Sequence, residues 1–472
     1  MISLPSAFDI QPSEMIAFVG GGGKTSLMFA LARALGTGVL TTTTTRIFAA
    51  QMKLAPAVCF LTTADAQNTA VHLRGIPVGD LSHLDAFLAR FGTALVVGQV
   101  EGEKAFGVPP ELPAQLLARP GVRHVLIEAD GSRMRPIKAP AAHEPVIPPQ
   151  TTLVVPVMGM DALERPLHEA AHRPELVQEV ISEQYSVISG QYSVNGDTVL
   201  TPVMAAALLA HPQGGLKGVP GGARVIPAIN KVDSPARLAA ARQVARHILR
   251  LTDGIVPQVV LSAAHRDEPV REVWRREDGG VTAVILAAGQ SKRMGRNKLA
   301  LPWGAGTVLD ETVRQMGGTA VPNLLLITGH EAAQAQAVAA RHGVPTLHNP
   351  HYAAGELITS VQAALRSLPE SITAVLVVLG DQPGILPQTI DQLLAAYAQG
   401  QGAIIAPTYQ GRRGNPVLID RRFFADLLAL PAAAAPRDVL RRYPQAVTLL
   451  PVNDPAILQD LDKPEDYERL RP

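Results

Sequence analysis

Two stretches of the chain share one pattern: a continuous apolar run, then glycine and other small residues, then a cation. Met15 to Val19 is apolar throughout, the pattern of a strand buried on both faces. Gly20 to Gly23 follow as a loop, and Leu27, Met28, Leu31, Ala34 and Leu35 recur at helical spacing until Gly36 closes the helix. In the second half Val281 to Ala287 reads as a strand, followed by Ala288, Gly289 and Ser291 and then by Arg293 and Lys298. Elsewhere strands alternate with helical patterns, which predicts α/β domains with largely parallel sheets. The alanine-rich stretches read as a helix over Ala332 to Ala340 and a loop over Ala432 to Ala435, before Pro436.

Both loops have the chemistry of phosphate sites. Strand, glycine loop, Lys24, Thr25 and Ser26 make a cradle at a helix N-terminus. The loop departs from G-x-x-x-x-G-K-[ST], since two residues separate Gly20 from Gly23, and fits the shorter G-x-x-G-K-T-[ST] form used by Mur-type peptide ligases. The plain alternative is a four-glycine turn. Val125 to Asp130 reads as a strand ending in two acids, Glu128 and Asp130, placed to coordinate magnesium or orient water. Asn230-Lys231-Val232-Asp233 ends the expected strand Val225 to Asn230 in the N-K-x-D pattern, whose aspartate accepts from guanine in GTPases. Leu261-Ser262-Ala263 is placed as a second base-contacting loop, and the alternative for Asp233 is a turn into the helix from Pro235. Thr41 to Thr45 are expected at a strand end with hydroxyls reaching the site, because polar side chains on both faces ill suit a buried parallel strand.

In the second half, Leu286, Ala287, Ala288, Gly289 and Ser291 let a ligand meet backbone N–H groups. Arg293 can fork onto phosphate oxygens and Lys298 can act as a point charge, which suits a nucleotide about to lose pyrophosphate. Asp381 follows the apolar run Ala374 to Leu379, where open α/β sheets bind ligands, and is placed to hold magnesium. Magnesium prefers one or two carboxylates with substrate phosphates, so a second acid is expected, Asp462 or alternatively Asp460. The competing role for these two is capping the helix at Pro464.

Leu286 to Lys298 match the nucleotidyltransferase signature L-A-A-G-x-S-x-R-M-G-x-x-K. Asn349-Pro-His-Tyr-Ala-Ala-Gly355 with Thr359-Ser360, Leu379-Gly-Asp-Gln-Pro383, Gly414-Asn-Pro-Val417 and Asp460 to Asp466 follow in order. The second half thus resembles the molybdenum cofactor cytidylyltransferase family. That resemblance implies a Rossmann-like nucleotidyltransferase sheet of the glycosyltransferase-A type, joining CTP to molybdopterin phosphate with Mg2+. Where that family carries Gly-Asp-x-Gly-Ala-Arg, this chain reads Ala432 to Arg437 without the acid, and Glu356 stands where an apolar residue is common. The first half has Thr41 to Arg46, Glu128-Ala-Asp130-Gly-Ser132, Lys138 to Pro145 and His172-Arg173-Pro174-Glu175. These resemble the selenium-dependent hydroxylase accessory protein family, also described as a selenium cofactor biosynthesis family, which implies a P-loop NTPase-like parallel sheet using GTP or ATP. His143, Glu144, His172 and Arg173 are candidates to line a substrate or metal site, against a structural role.

At 472 residues and 47% hydrophobic composition the chain can bury two cores. The expected division is 1–275, a polar linker 276–281, and 282–472. With 42 basic and 41 acidic side chains, and 4% aromatic residues, neither a nucleic-acid partner nor a stacking platform is indicated. Cys59 is alone, which excludes an intramolecular disulfide and fits a reducing cytoplasm. No segment reads as a membrane span or secretion signal. The expectation is a cytoplasmic enzyme of molybdenum hydroxylase cofactor maturation, acting on a molybdopterin-type small molecule, with a hydroxylase apoenzyme as a partner. The alternatives are another phosphorylated acceptor, such as a sugar phosphate or isoprenoid precursor, and an N-terminal GTP-dependent switch or chaperone beside a degenerate transferase.

Overall fold

The computed structural model describes residues 2–69, 73, 75–189, 194–275, 280–291, 293–353 and 357–472. Most of the expected linker, together with Gly355 and Glu356, lies outside the described residues. The chain divides into two compact units, Met1–Arg276 and Glu277–Pro472.

Among the described residues the main sheet of the first unit has eleven strands. In chain order they are β1 (Glu14–Gly20), β2 (Val39–Thr43), β3 (Val58–Phe60), β4 (Val78–Asp80), β5 (Thr93–Val97), β6 (His124–Glu128), β7 (Leu153–Gly159), β8 (Arg224–Val225), β9 (Ala228–Asn230), β10 (Gln258–Ser262) and β11 (Val270–Arg275). The spatial order is β11-β10-β9-β7-β1-β6-β2-β5-β3-β4, with β8 paired to β7 off this path. All pairings are parallel except β10 with β11, whose short connection returns the chain antiparallel at the sheet edge. Helix α1 (Lys24–Leu35) follows β1 and closes at Gly36, whose φ of 81° suits a residue without Cβ. The apolar run at Val225 to Asn230 forms two short strands instead of one, broken at Pro227, which has no N–H for the ladder. Helix α2 (Pro235–Leu251) starts from Ser234, whose side chain caps the Arg237 N–H.

The threonine segment corrects its expectation. Thr41, Thr42 and Thr43 lie inside β2, buried at every position. Their hydroxyls donate to the carbonyls of Ala94, Val96 and Glu128 at 3.4, 2.8 and 2.8 Å. Hydrogen bonds to neighbouring strand backbones are what make polar side chains tolerable on a strand enclosed on both faces.

The second unit has an eight-stranded sheet. Its strands are β12 (Gly280–Ala287), β13 (Asn323–Thr328), β14 (Thr346–His348), β15 (Ile372–Leu379), β16 (Ile404–Tyr409), β17 (Arg412–Arg413), β18 (Val417–Asp420) and β19 (Val447–Pro451). The order is β14-β13-β12-β15-β18-β16-β17, with β19 beside β16. Strands β14, β13, β12 and β15 run parallel, whereas β18 is antiparallel to both β15 and β16. The sheet is therefore mixed, not largely parallel. The reason is local: β16, β17 and β18 follow one another through reversals too short for a crossover helix. Helices α3 (Val308–Gly317) and α4 (Leu357–Ser367) pack on it. No helix among the described residues is long and apolar enough to cross a membrane.

Candidate functional site

In the second unit the carboxyl end of β12 delivers the chain into the small-residue loop. Ser291 adopts φ 50°, and its Oγ accepts the Lys298 N–H at 3.2 Å, folding the far end of the loop back onto its start. Asn297 caps the 3-10 turn Lys298–Ala300. Asp381 stands just beyond β15, after a tightly held turn: the Gly380 N–H donates to Leu286 O at 3.1 Å, and a Cβ at Gly380 would lie 2.8 Å from that oxygen. Thr312 on α3 donates to the Gly380 carbonyl at 3.0 Å.

These elements bring the expected charges together. The Lys298 ammonium donates to Asp381 and, at 3.0 Å, to Asp462, while Arg293 reaches the other Asp462 oxygen at 2.8 Å. Burial works against the Lys298 charge, but Asp381 and Asp462 more than offset it and raise its pKa. Burial also opposes ionisation of Asp462, yet Lys298 and Arg293 hold its pKa below the usual carboxylate range. Asp460 lies beside them with its carboxylate on Gln382 at 2.6 Å. Burial, then the charges of Asp381 and Asp462, push Asp460 up to about 6. Neither Asp460 nor Asp462 caps the following helix, whose N-cap position is Lys463 and whose first-turn Asp466 accepts the Lys463 N–H at 3.2 Å.

The charges line a cleft of about 450 Å³ together with Leu286, Ala288, Gly289, Ser291, Thr359 and Ser360. Ala287 is the last residue of β12 and is buried beneath it. Asn349, buried at the end of the β14 segment, donates to the Thr359 and Ser360 hydroxyls at 3.1 and 3.0 Å. Sequence reasoning left Gln382, Thr312 and the role of Asn349 unassigned. Thr312 and Gln382 act through partners distant in sequence, and Gln382 and Asn349 each stood within a recognisable motif, Leu379 to Pro383 and Asn349 to Gly355. Among the described residues no three His, Cys, Asp or Glu side chains form a ready ligand set for a metal. Asp381 and Asp462, both on one ammonium, with Asp460 raised by their proximity, fit a divalent cation that completes its shell with phosphate oxygens.

The first unit has a second charged cluster. Lys24, Glu128, Asp130 and Lys138 are all buried. Asp130 receives the Gly20 N–H at 3.0 Å and the ammonium groups of Lys24 and Lys138, each at 3.1 Å. Lys24 also donates to Gly20 O at 2.6 Å. Burial lowers its affinity for a proton, but Asp130 and Glu128 reverse that and raise its pKa. Thr25 donates to Glu128 at 2.6 Å, and burial followed by Asp130 leaves the Glu128 pKa raised.

The glycine loop itself is packed, not open. Gly20, Gly21 and Gly22 give their N–H groups to Asp130, Val157 O and Arg135 O. A Cβ at Gly22 would lie 1.8 Å from the Gly159 nitrogen. The first turn of α1, from Gly23 through Lys24, Thr25 and Ser26, has no side-chain cap, so its N–H groups are where an anion can bind.

Asn230 fastens this loop to the next strand ends. Its amide donates to Gly22 O at 3.1 Å and accepts the Ala264 N–H at 3.0 Å, with Ser262 Oγ at 3.3 Å. Lys231, at φ 61°, pairs with Asp161. Asp233 takes both its bonds from Arg237, at 2.8 and 3.0 Å. Glu144 is held by Lys138 and Arg173, and His143 is exposed.

Loop, paired carboxylates and cations below a strand end make the second unit a nucleotidyltransferase, and comparison with known proteins agrees. The MobA-like NTP transferase domain family matches residues 283–447, and the YqeC protein family matches residues 16–175. Uncharacterized protein YqeC of Escherichia coli (strain K12) is 35% identical over 221 residues, covering 46% of this chain and 75% of that protein. The molybdenum cofactor cytidylyltransferase of the same organism is 28% identical over 188 residues, 40% of this chain and 93% of that protein. The nicotine blue oxidoreductase of Paenarthrobacter nicotinovorans is 31% identical over 204 residues, 40% of this chain and 96% of that protein. The chain belongs to the YqeC family through its first unit and carries a MobA-like NTP transferase domain in its second.

Proposed function

We propose that the chain is a fused enzyme of molybdenum hydroxylase cofactor maturation. In this reading the second unit transfers CMP from CTP to the phosphate of molybdopterin and releases pyrophosphate. The observation that carries it is the single ammonium of Lys298 shared by Asp381 and Asp462 beneath the Ala288–Ser291 loop. Backbone N–H groups of that loop receive the triphosphate, and Lys298 and Arg293 turn from carboxylates to phosphate oxygens. Asp381 with Asp462 would hold Mg2+, which supplies charge neutralisation at the α-phosphate and the leaving pyrophosphate. The acceptor phosphate is already anionic, so positioning suffices and no histidine base is required. The likeness to a cytidylyltransferase supports the donor and acceptor, while an oxidoreductase of similar identity shows that resemblance alone does not fix the reaction. The acid missing at Ala432 to Arg437 favours, as a second reading, a different phosphorylated acceptor.

The first unit, in the same reading, is a P-loop NTPase-like accessory domain holding a triphosphate at Gly23 to Ser26, with Thr25, Glu128 and Asp130 around the magnesium position. The Asn-Lys-Val-Asp segment favours GTP over ATP there, and a hydroxylase apoenzyme would be the protein partner. Incubating the full chain with each NTP, magnesium and, in separate reactions, molybdopterin, a sugar phosphate or an isoprenoid phosphate, and weighing the products, tests the reading of the second unit. A cytidine dinucleotide product is expected; a product formed only with a sugar phosphate or isoprenoid phosphate would replace it by the second reading.

A further inference from the structure

The cleft of the second unit is charged at one end and apolar at the other. Strands β15, β12, β13 and β14 lie side by side in that order and run parallel, so their carboxyl ends share one edge of the sheet. Along that edge Asp381 follows β15, the Ala288–Ser291 loop follows β12, Gly329 follows β13 and Tyr352 follows β14. Lys298 and its carboxylates occupy the β15 end. At the other end Tyr352 and Leu357 line the same cleft, and Tyr352 is the one aromatic side chain among its lining residues. Leu357, the first residue of α4, is 37% exposed and adds to the apolar wall.

Tyr352 is half-buried and held from several directions. Gly329 lets it approach the nucleotide loop, since a Cβ there would lie 2.7 Å from the Cβ atoms of both Ala288 and Tyr352. The His330 N–H donates to Ala288 O at 3.3 Å, and the His330 and His348 rings pack on Tyr352 with centroids 6.1 Å away, at 31° and 65°. The Tyr352 N–H donates to Asn349 O at 3.4 Å. The Asn349 side chain accepts the His351 N–H at 3.0 Å while donating to the Thr359 and Ser360 hydroxyls. One buried amide therefore sets both the turn that carries the ring and the two hydroxyls of α4. A braced ring beside hydroxyl groups suits a heteroaromatic base, whose face can lie on the ring while its polar edge meets the hydroxyls.

We infer that Tyr352 is the platform on which the base of the donor nucleotide stacks, with Thr359 and Ser360 at the polar edge of that base. This rests on the reading of the Ala288–Ser291 loop and Lys298 as the triphosphate site, which puts the phosphates at one end of the cleft and leaves the ring end for the base. Every base has a π-face, so the ring supplies affinity and alignment without choosing among bases.

The test uses the full chain carrying Lys24→Ala, which weakens the competing site proposed in the first unit. CTP and, separately, inorganic tripolyphosphate are titrated by calorimetry with magnesium into this chain and into its Tyr352→Ala, Tyr352→Leu and Tyr352→Phe variants. Tyr352→Ala and Tyr352→Leu are expected to weaken CTP about tenfold, the scale of one lost stacking contact, and to leave tripolyphosphate, which has no base, unchanged. Tyr352→Phe should bind CTP as the parent does, and UTP should lose as much as CTP on Tyr352→Ala. Retained tripolyphosphate binding shows that the cleft is intact; if Tyr352→Ala unfolds it, Tyr352→Leu, which keeps apolar bulk, reads the ring. Equal loss of CTP and tripolyphosphate in both variants, or a Tyr352→Phe variant as weak as Tyr352→Ala, overturns the platform. Unchanged CTP binding overturns it too, and a raised KM for molybdopterin in that case gives the ring to the acceptor. Failure of the proposed reaction shows separately, as absence of cytidylyl transfer by a chain whose CTP binding still depends on Tyr352.

Discussion

The Lys298 ammonium stands 3.0 Å from the Asp462 carboxylate, joining residues 164 positions apart, while it also bonds Asp381. The lysine thus fills the space between the two carboxylates, and in the proposed reading a triphosphate draws it away. Metal and nucleotide should then bind cooperatively, since each makes room for the other.

Lys298→Gln is expected to tighten Mn2+ binding in the absence of nucleotide while slowing pyrophosphate release. The gain should be on the order of tenfold, equivalent to about 1.4 kcal/mol of relieved competition. Calorimetric titration with Mn2+ alone measures it; a variant that binds the metal no better than the parent chain shows that the lysine does not compete.

Asp381→Ala should abolish pyrophosphate release from CTP, because the developing charge on the leaving group loses its counterpart. GTP or ATP binding by the first unit should persist. Pyrophosphate release near the parent rate would remove Asp381 from the metal site.

Lys24→Ala is predicted to weaken triphosphate binding in the first unit by about 2–3 kcal/mol, the scale of a lost charge-assisted bond, and to leave cytidylyl transfer intact. Asp130 still receives Lys138 and the Gly20 N–H in that variant, so the fold should survive. Equal loss of both activities in binding and turnover assays would mean that the units act as one.

In the proposed reading the base preference of the first unit hinges on Asp233. Its two bonds to Arg237 must be exchanged for guanine hydrogens, so Asp233→Ala should erase a preference for GTP. Arg237→Ala, which frees the carboxylate, should sharpen it. Competition titrations with GTP and ATP decide this, and an ATP preference in the parent chain would reduce Asn-Lys-Val-Asp to a turn that begins α2.

Asp460 gives a pH dependence with a definite sign. Its folded pKa, about 6, lies above the ordinary carboxylate value of 3.8. Between those values only the folded chain keeps the proton, so stability falls as pH rises through this window and stays lower above it. Asp460→Asn should remove that slope and raise the melting temperature near neutral pH by about 2 °C. Melts at pH 4.5 and 7 without metal are the check; an unchanged slope would assign the dependence to another group.

What could be read from residues alone follows a physical divide. Met15–Val19 and Val281–Ala287 announced β1 and β12 because a strand enclosed on both faces must be apolar throughout. Glycine, lysine and aspartate at strand ends likewise announced the two charge clusters. Strand direction was not legible: β18 turns antiparallel through connections whose geometry no periodicity encodes. The threonines of β2 misled for a related reason, since their hydroxyls are satisfied by carbonyls of strands far away in sequence. Thr312 holds Gly380 and nothing near it in the chain signals that duty, while Gln382 stood in the Leu379 to Pro383 motif but its partner Asp460 lies 78 positions further on.

The glycines at 20, 21 and 22 are hemmed by main-chain atoms, with Val157 O, Arg135 O and the Gly159 nitrogen closest to where a methyl would go. Side-chain clashes can be relieved by a second substitution that trims the neighbour; main-chain clashes cannot. The loop is therefore closed to compensatory drift, and a descendant that lost every catalytic duty would still need all three glycines to fold. Inheritance of the glycines alone reports on architecture, whereas the fate of Lys24 reports on the nucleotide site proposed for the first unit.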